Sequence, residues 1–260
     1  MKKILLTAPG KIHPAVIAVW AAVVAAAHLI PTIPMLFTGG TFSLATVLAP
    51  LSGIFFGPIA GAICSAAGGF IGSLIAPHTA LLIGPFTFII GTVSAFTAGC
   101  IAWGGRHLIS LNMKGGITVN GGIIVYLTGT VLWFTQETGR GLILFPVIYY
   151  GVGFAALIIG SIFAAGILAG NNIKLKLPAL WICAFGGMIG GATVASFFSL
   201  VLLEIPKEVW AYLTIAAPVE RAVFSLGTVL VGAPLLAGLP KIGVFVGPAA
   251  EPETMNNDQS

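Results

Sequence analysis

Charge is what this sequence has least of. Only 7% of its 260 residues are Asp, Glu, Lys or Arg, against roughly 25% in a soluble globular domain, which excludes an ordinary water-facing surface. Acidic residues are scarcest. Apart from Glu251, Glu253 and Asp258 near the end, the chain holds only Glu137, Glu204, Glu208 and Glu220, too few for a relay of repeated intramembrane carboxylates. Cysteine is rare as well: Cys64, Cys100 and Cys183 stand singly in apolar runs without metal-like spacing and read as small hydrophobic packing residues. H-E-x-x-H, G-x-S-x-G and a glycine loop followed by a Walker-type lysine are all absent. Nothing points to a serine and histidine presented together by separate spans. The expectation is a protein that is not an enzyme, with no cofactor and no metal.

What is present is apolar. Hydrophobic residues make up 58% of the chain and the mean hydropathy is +1.08, so the chain belongs in a bilayer. A helix needs about 20 apolar residues to cross a hydrocarbon core roughly 30 Å thick. Eight runs qualify, at about 14–30, 43–56, 58–76, 80–104, 117–135, 141–169, 178–203 and 212–238. The predicted fold is an all-α polytopic membrane protein, a bundle of about eight transmembrane helices, with six or seven as the alternative count. The second run is short, contains Pro50 and ends at Gly57-Pro58, which favours a broken or partly inserted segment. The fifth opens ITVNGGIIVYLTGT, β-branched and glycine-rich, and is the weakest helix. MKKILL and the Ala25–Ala27 stretch have the texture of a signal peptide, but Lys11 and Pro14 break the early run. Residues 1–240 read as one transmembrane domain and 241–260 as a polar cytoplasmic tail, disordered at its end.

Basic residues set the expected orientation, because cytoplasmic loops retain them. With eight spans and an inside N-terminus, Lys2, Lys3, Lys11, Arg106, Lys114, Lys174, Lys176 and Lys241 fall inside, and only Arg140, Lys207 and Arg221 outside. The expected location is the cell membrane, plasma or inner, with both termini cytoplasmic. The net charge of +4 is then a topology signal, not a nucleic-acid surface. Glu137, Glu204, Glu208 and Glu220 all map to the outer side.

Small residues recur at a spacing of four in three places. The third run carries Gly57, Gly61, Ser65, Gly69 and Ser73; the first carries Ala18, Ala22 and Ala26, with Ala21 and Ala25 beside them; the seventh carries GGMIGG at Gly186–Gly191. Glycine costs a helix interior about 1 kcal/mol relative to alanine, but in lipid such stripes let helix backbones approach closely. Each stripe needs a partner surface, inside the bundle or on another subunit.

The outer side also holds the candidate ligand contacts. The first loop, PTIPMLFTGGTF, carries Thr38 and Thr41 and reads as a lid over a cavity. His78 lies in a tight turn, APHT. WFTQETGRG offers Trp133, Glu137 and Arg140, an aromatic face beside an acceptor and a donor, with Glu137 and Arg140 spaced to pair. Glu220 and Arg221 lie inside the last run, where ionisable groups usually face a cavity or a partner. Neighbours on a helix point about 100° apart, so these two are expected not to pair with each other. Pro218 just before them is a place for a bend.

The order of these elements resembles the substrate-binding S components of energy-coupling factor (ECF) transporters. The resemblance rests on the alanine stripe, the proline- and glycine-containing loop, LAPLSGIFFGPIAGA and the glycine-rich third run. LLIGPFTFIIGTVSAFTAG is similar in texture to the fourth span of biotin-type members, and PLLAGLPK matches weakly. It covers about 15–105. The resemblance implies a subunit that captures a vitamin or related micronutrient from outside and works with a transmembrane coupling subunit and two ATPases. Ala18, Ala22 and Ala26 would contact the coupling subunit, and Thr38 and Thr41 would sit near the substrate. Family members usually have six spans; the extra pair here falls around 106–176. A self-sufficient carrier or channel, or a structural membrane subunit, are the competing readings, and no reading involves nucleic acid.

Overall fold

Eight helices of ten residues or more lie on the eight apolar runs. In the computed structural model, which describes residues 7–8, 11–12, 14–34, 41–79, 84–104, 109–111, 117–170, 172–203, 205–242, 244 and 246–248, they are α1 (Pro14–Ala27), α2 (Ala45–Phe56), α3 (Pro58–Ile75), α4 (Phe88–Trp103), α5 (Gly121–Thr135), then, after the single turn α6 (Glu137–Arg140), α7 (Gly151–Ala169), α8 (Ile173–Leu202) and α9 (Lys207–Gly238). A π-helical turn, Pro146–Tyr150, leads into α7. The described strands form three short antiparallel ribbons: β1 (Thr7–Ala8) with β2 (Lys11–Ile12), β3 (Pro31–Pro34) with β4 (Thr41–Ser43), and β5 (Ile109–Leu111) with β6 (Ile117–Val119). Thr38, Arg106, Lys114, Glu204 and residues 249–260 lie outside the described residues.

Four helical stretches are long and apolar enough to cross a membrane: Pro58–Ile75, Pro146–Ala169, Ile173–Leu202 and Lys207–Lys241. This is an all-α, multi-pass membrane architecture. The other four helices are shorter; the longest of them, α4, has 16 residues, about 24 Å of rise.

Local chemistry explains where the helices start and stop. α2 runs unbroken through Pro50, contrary to the expected break, and ends at Gly57, whose φ of 84° is open to glycine but strained for other residues. Pro58 then opens α3 at a position where a missing N–H costs nothing, so the two helices form a tight hairpin. The weak start of the fifth run is real: Ile117–Val119 is strand β6. The helix begins only after Asn120, whose side chain accepts the Gly122 N–H at 2.9 Å as an N-cap and donates to the Cys100 carbonyl at 3.0 Å. At the other end of the chain, Gly247 donates to the Phe55 carbonyl at 2.9 Å, which ties the start of the polar tail to the end of α2.

α8 is the central helix, buried without interruption from Cys183 to Thr193 and packed against α4, α5, α7 and α9. Its GGMIGG stripe is used inside the bundle. A Cβ on Gly187 would lie 2.9 Å from the Ser94 carbonyl oxygen of α4, and one on Gly191 would lie 2.6 Å from that of Ile90. The α3 ladder is also internal: Gly61 abuts Gly53 of α2, Ser65 faces Gly91 and Gly69 faces Phe88 of α4, while Gly68 meets Ala21 and Val24 of α1. The alanine stripe differs. α1 turns Ala21, Val24 and Ala25 inward and leaves Ala18, Ala22 and Ala26 exposed, so among the described residues this stripe has no partner.

Candidate ligand-binding site

At one end of the bundle the C-terminal ends of α1 and α3 meet the N-terminal ends of α2 and α4. They do not close fully against α8 and α9. A cavity of about 100 Å³ remains, several times the roughly 10–15 Å³ that a single water needs. Small residues create it: Ser65, Gly69, Gly91, Ala192 and Ala195 face it from three helices. The ribbon β3–β4 adds Phe42 and Ser43 as a further wall. It is held in place by Thr32 donating to the Phe42 carbonyl at 2.9 Å and by Leu44 donating to that of Ile30 at 2.9 Å.

Arg221 is the charged group on the lining. Its Nε donates to the Tyr149 hydroxyl at 3.4 Å, its Nη2 stands 3.3 Å from Glu220 Oε1, and its guanidinium lies over the Phe42 ring, 4.9 Å from the centroid, a cation–π contact. The expectation that Glu220 and Arg221 do not pair is thereby corrected: Cα–Cβ directions diverge, but both side chains are long enough to curl together. In an apolar bundle, leaving either charge alone would cost several kcal/mol. α9 passes through Pro218 as one continuous helix.

Two further polar groups shape the site. His28, in the turn beyond α1, lies 3.5 Å from the Ser43 hydroxyl through Nδ1. Ser94, on α4, is 5% exposed and its Oγ has no hydrogen-bond partner among the described residues. The hydroxyl-bearing Thr46, Ser65 and Thr87 also line the cavity, and Val24, Phe88, Ile90 and Met188 supply its large apolar side chains.

Of the sequence-derived candidates, Arg221 lines this cavity and Glu220 holds it from behind. Thr41 belongs to β4 next to Phe42 but is not on the lining; its Oγ1 is buried without a hydrogen-bond partner among the described residues. Thr38 lies outside the described residues. His78 is exposed in the turn Pro77–Thr79. Trp133 is fully buried, donating to the Gly139 carbonyl at 2.9 Å, stacked on Phe145 at 4.5 Å and edge-on to Trp210 at 5.0 Å. Its indole face is thus taken up by the core. Glu137 and Arg140 are both exposed on α6, and Arg140 donates to the Thr135 carbonyl at 3.4 Å instead of pairing with Glu137. Sequence reasoning missed His28, Phe42, Ser65, Ser94 and Met188. The histidine closing AAAH was the one visible signal, since the serines look like ordinary packing residues.

No protein-family model matches the chain, and neither a curated protein nor a solved structure matches it.

Proposed function

We propose that this chain is the membrane-embedded capture subunit of a vitamin or micronutrient importer of the ECF kind, taking its cargo from outside and depending on a transmembrane coupling subunit and two ATPases for release. One observation carries the reading: the same molecule has a ligand-sized cavity at one end of its bundle and a small-residue face on α1 that no other element covers among the described residues. The first is what capture needs. The second is a surface on which another helix can come close. The cavity end is the end of β3–β4, α6 and the start of α9, where Arg140 and Lys207 stand, and the opposite end carries Lys174, Lys176 and Lys241. The distribution of basic residues therefore supports a cavity open to the outside, with both termini in the cytoplasm.

The protein performs no bond chemistry in this reading. It excludes water from the ligand and orients it, and the coupling module supplies the energy. The test is coexpression with an ECF coupling subunit and its ATPases. Copurification is expected, and Ala22→Trp is expected to abolish it while the isolated protein stays folded. Copurification that survives Ala22→Trp counts against the role of the stripe. The Glu220–Arg221 pair beside the cavity favours one rival, a self-sufficient carrier whose transport is coupled to that pair. Uptake by the chain alone in ATP-free liposomes would establish it and remove the ECF reading.

A further inference from the structure

The lining is unbalanced in charge. Arg221 brings a permanent positive group, and no carboxylate or amide joins it there among the described residues: the other polar side chains are the His28 ring and the hydroxyls of Ser43, Thr46, Ser65, Thr87 and Ser94. Glu220 sits off the lining, 3.3 Å from Nη2. It offsets the cost of burying the guanidinium without presenting its own charge to a ligand. Nε is engaged by Tyr149, and Nη1 has no protein partner among the described residues. The guanidinium carbon lies 4.9 Å from the Phe42 ring centroid, and Nη1 is the nitrogen left to make a charge-assisted hydrogen bond to a ligand's carboxylate.

A second group on the lining lacks a partner among the described residues. The Ser94 hydroxyl is buried and unsatisfied, a state that costs free energy in an apolar surrounding and that a ligand's polar atom would relieve. Phe88, Ile90 and Met188 give the same lining an apolar surface. An amine or quaternary ammonium ligand would meet Arg221 with no acid on the lining to offset it. A bare metal ion has no donor set either, because no group of three His, Cys, Asp or Glu converges among the described residues.

We infer that the cavity takes a small organic acid. Its carboxylate is held by Nη1 of Arg221, its apolar body lies against Phe88, Ile90 and Met188, and a hydrogen-bonding group elsewhere on it meets Ser94. This rests on the capture reading and narrows its cargo.

Full-length protein in nanodiscs, prepared from cells grown in complex medium, is denatured and the released small molecules are read by mass spectrometry. Reading before and after carbodiimide coupling to an amine tag picks out carboxylates. The expected result is one compound in stoichiometric amount whose mass shifts with the tag, with binding weakened roughly 10- to 100-fold in Arg221→Gln. Because that variant strands Glu220, the double variant Glu220→Gln/Arg221→Gln is run beside it, and both are required to elute as a single monodisperse species. A compound that ignores the tag, or that both variants hold as well as the wild type, overturns the assignment.

Thermal unfolding with hexanoate, hexanamide and hexylamine covers the case in which nothing is retained, since the three share a body and differ in head-group charge. Hexanoate is expected to raise the wild-type unfolding temperature most, and both variants to lose that ranking. Equal effects of the three, including no effect at all, overturn the assignment. Copurification with the coupling module, scored on the same preparations, separates the two failures. A neutral or cationic cargo with copurification intact removes the acid alone, whereas loss of copurification removes the importer reading.

Discussion

Gly53 of α2 and Gly166 of α7 look alike in sequence, each a glycine within an apolar helix, and the structure assigns them opposite responses to alanine. At Gly53 an added Cβ would be driven into the Ala95 carbonyl oxygen and would lie 2.7 Å from its carbon and 2.8 Å from the Gly99 nitrogen. Those atoms are backbone and cannot rotate away, so α2 and α4 must separate. Overpacking of this kind typically costs about 1–3 kcal/mol and at times more, and a backbone collision belongs at the upper end. Alanine returns about 1 kcal/mol of helix propensity. The net expectation for Gly53→Ala is a loss of about 2 kcal/mol, or about 4–8 °C in the unfolding temperature at the 2–4 °C per kcal/mol typical of a large domain. At Gly166 nothing lies within 4 Å of an added Cβ, so only the propensity term acts and Gly166→Ala is expected to gain up to about 1 kcal/mol. Unfolding of the purified protein, followed by circular dichroism against temperature and against sodium dodecyl sulfate fraction, reads both variants. If Gly53→Ala is as stable as the wild type, close α2–α4 packing is refuted. If Gly166→Ala is destabilised, α7 has a neighbour there that the fold does not show.

Other expectations follow from single contacts. Ala22→Trp on the exposed face of α1 should leave the unfolding temperature of the isolated protein within about 1–2 °C, since surface substitutions stay within about ±0.5 kcal/mol; a larger drop would place Ala22 in the core. Trp133→Phe removes the bond to the Gly139 carbonyl and should cost about 1–3 kcal/mol with ligand retention unchanged, so lost retention with unchanged stability would make Trp133 a ligand contact.

The Glu220–Arg221 pair illustrates how far the sequence could be read. That two ionisable residues inside an apolar run face a cavity or a partner follows from the cost of charge in lipid and needs no coordinates. That they pair with each other, and that Arg221 rests on Phe42 while binding Tyr149, depends on residues 179 and 72 positions away being brought beside it. Neither spacing nor periodicity carries that information. The same holds for the cavity, whose walls come from β4 and six helices. Serines that satisfy themselves on their own helix and the one on α4 that is left without a partner are identical in sequence.

By itself the sequence determined the solvent, the class and the rough positions of the helices, because charge-poor apolar runs have no other stable environment and a backbone in lipid must hydrogen-bond within itself. It also marked all three small-residue stripes. Only the tertiary structure decided what each stripe is for. Rotation about the helix axis, set by the best burial of neighbouring side chains, turned the glycines of α3 and α8 onto α1, α2 and α4. The same packing put Ala21, Val24 and Ala25 of α1 inward and left Ala18, Ala22 and Ala26 facing out.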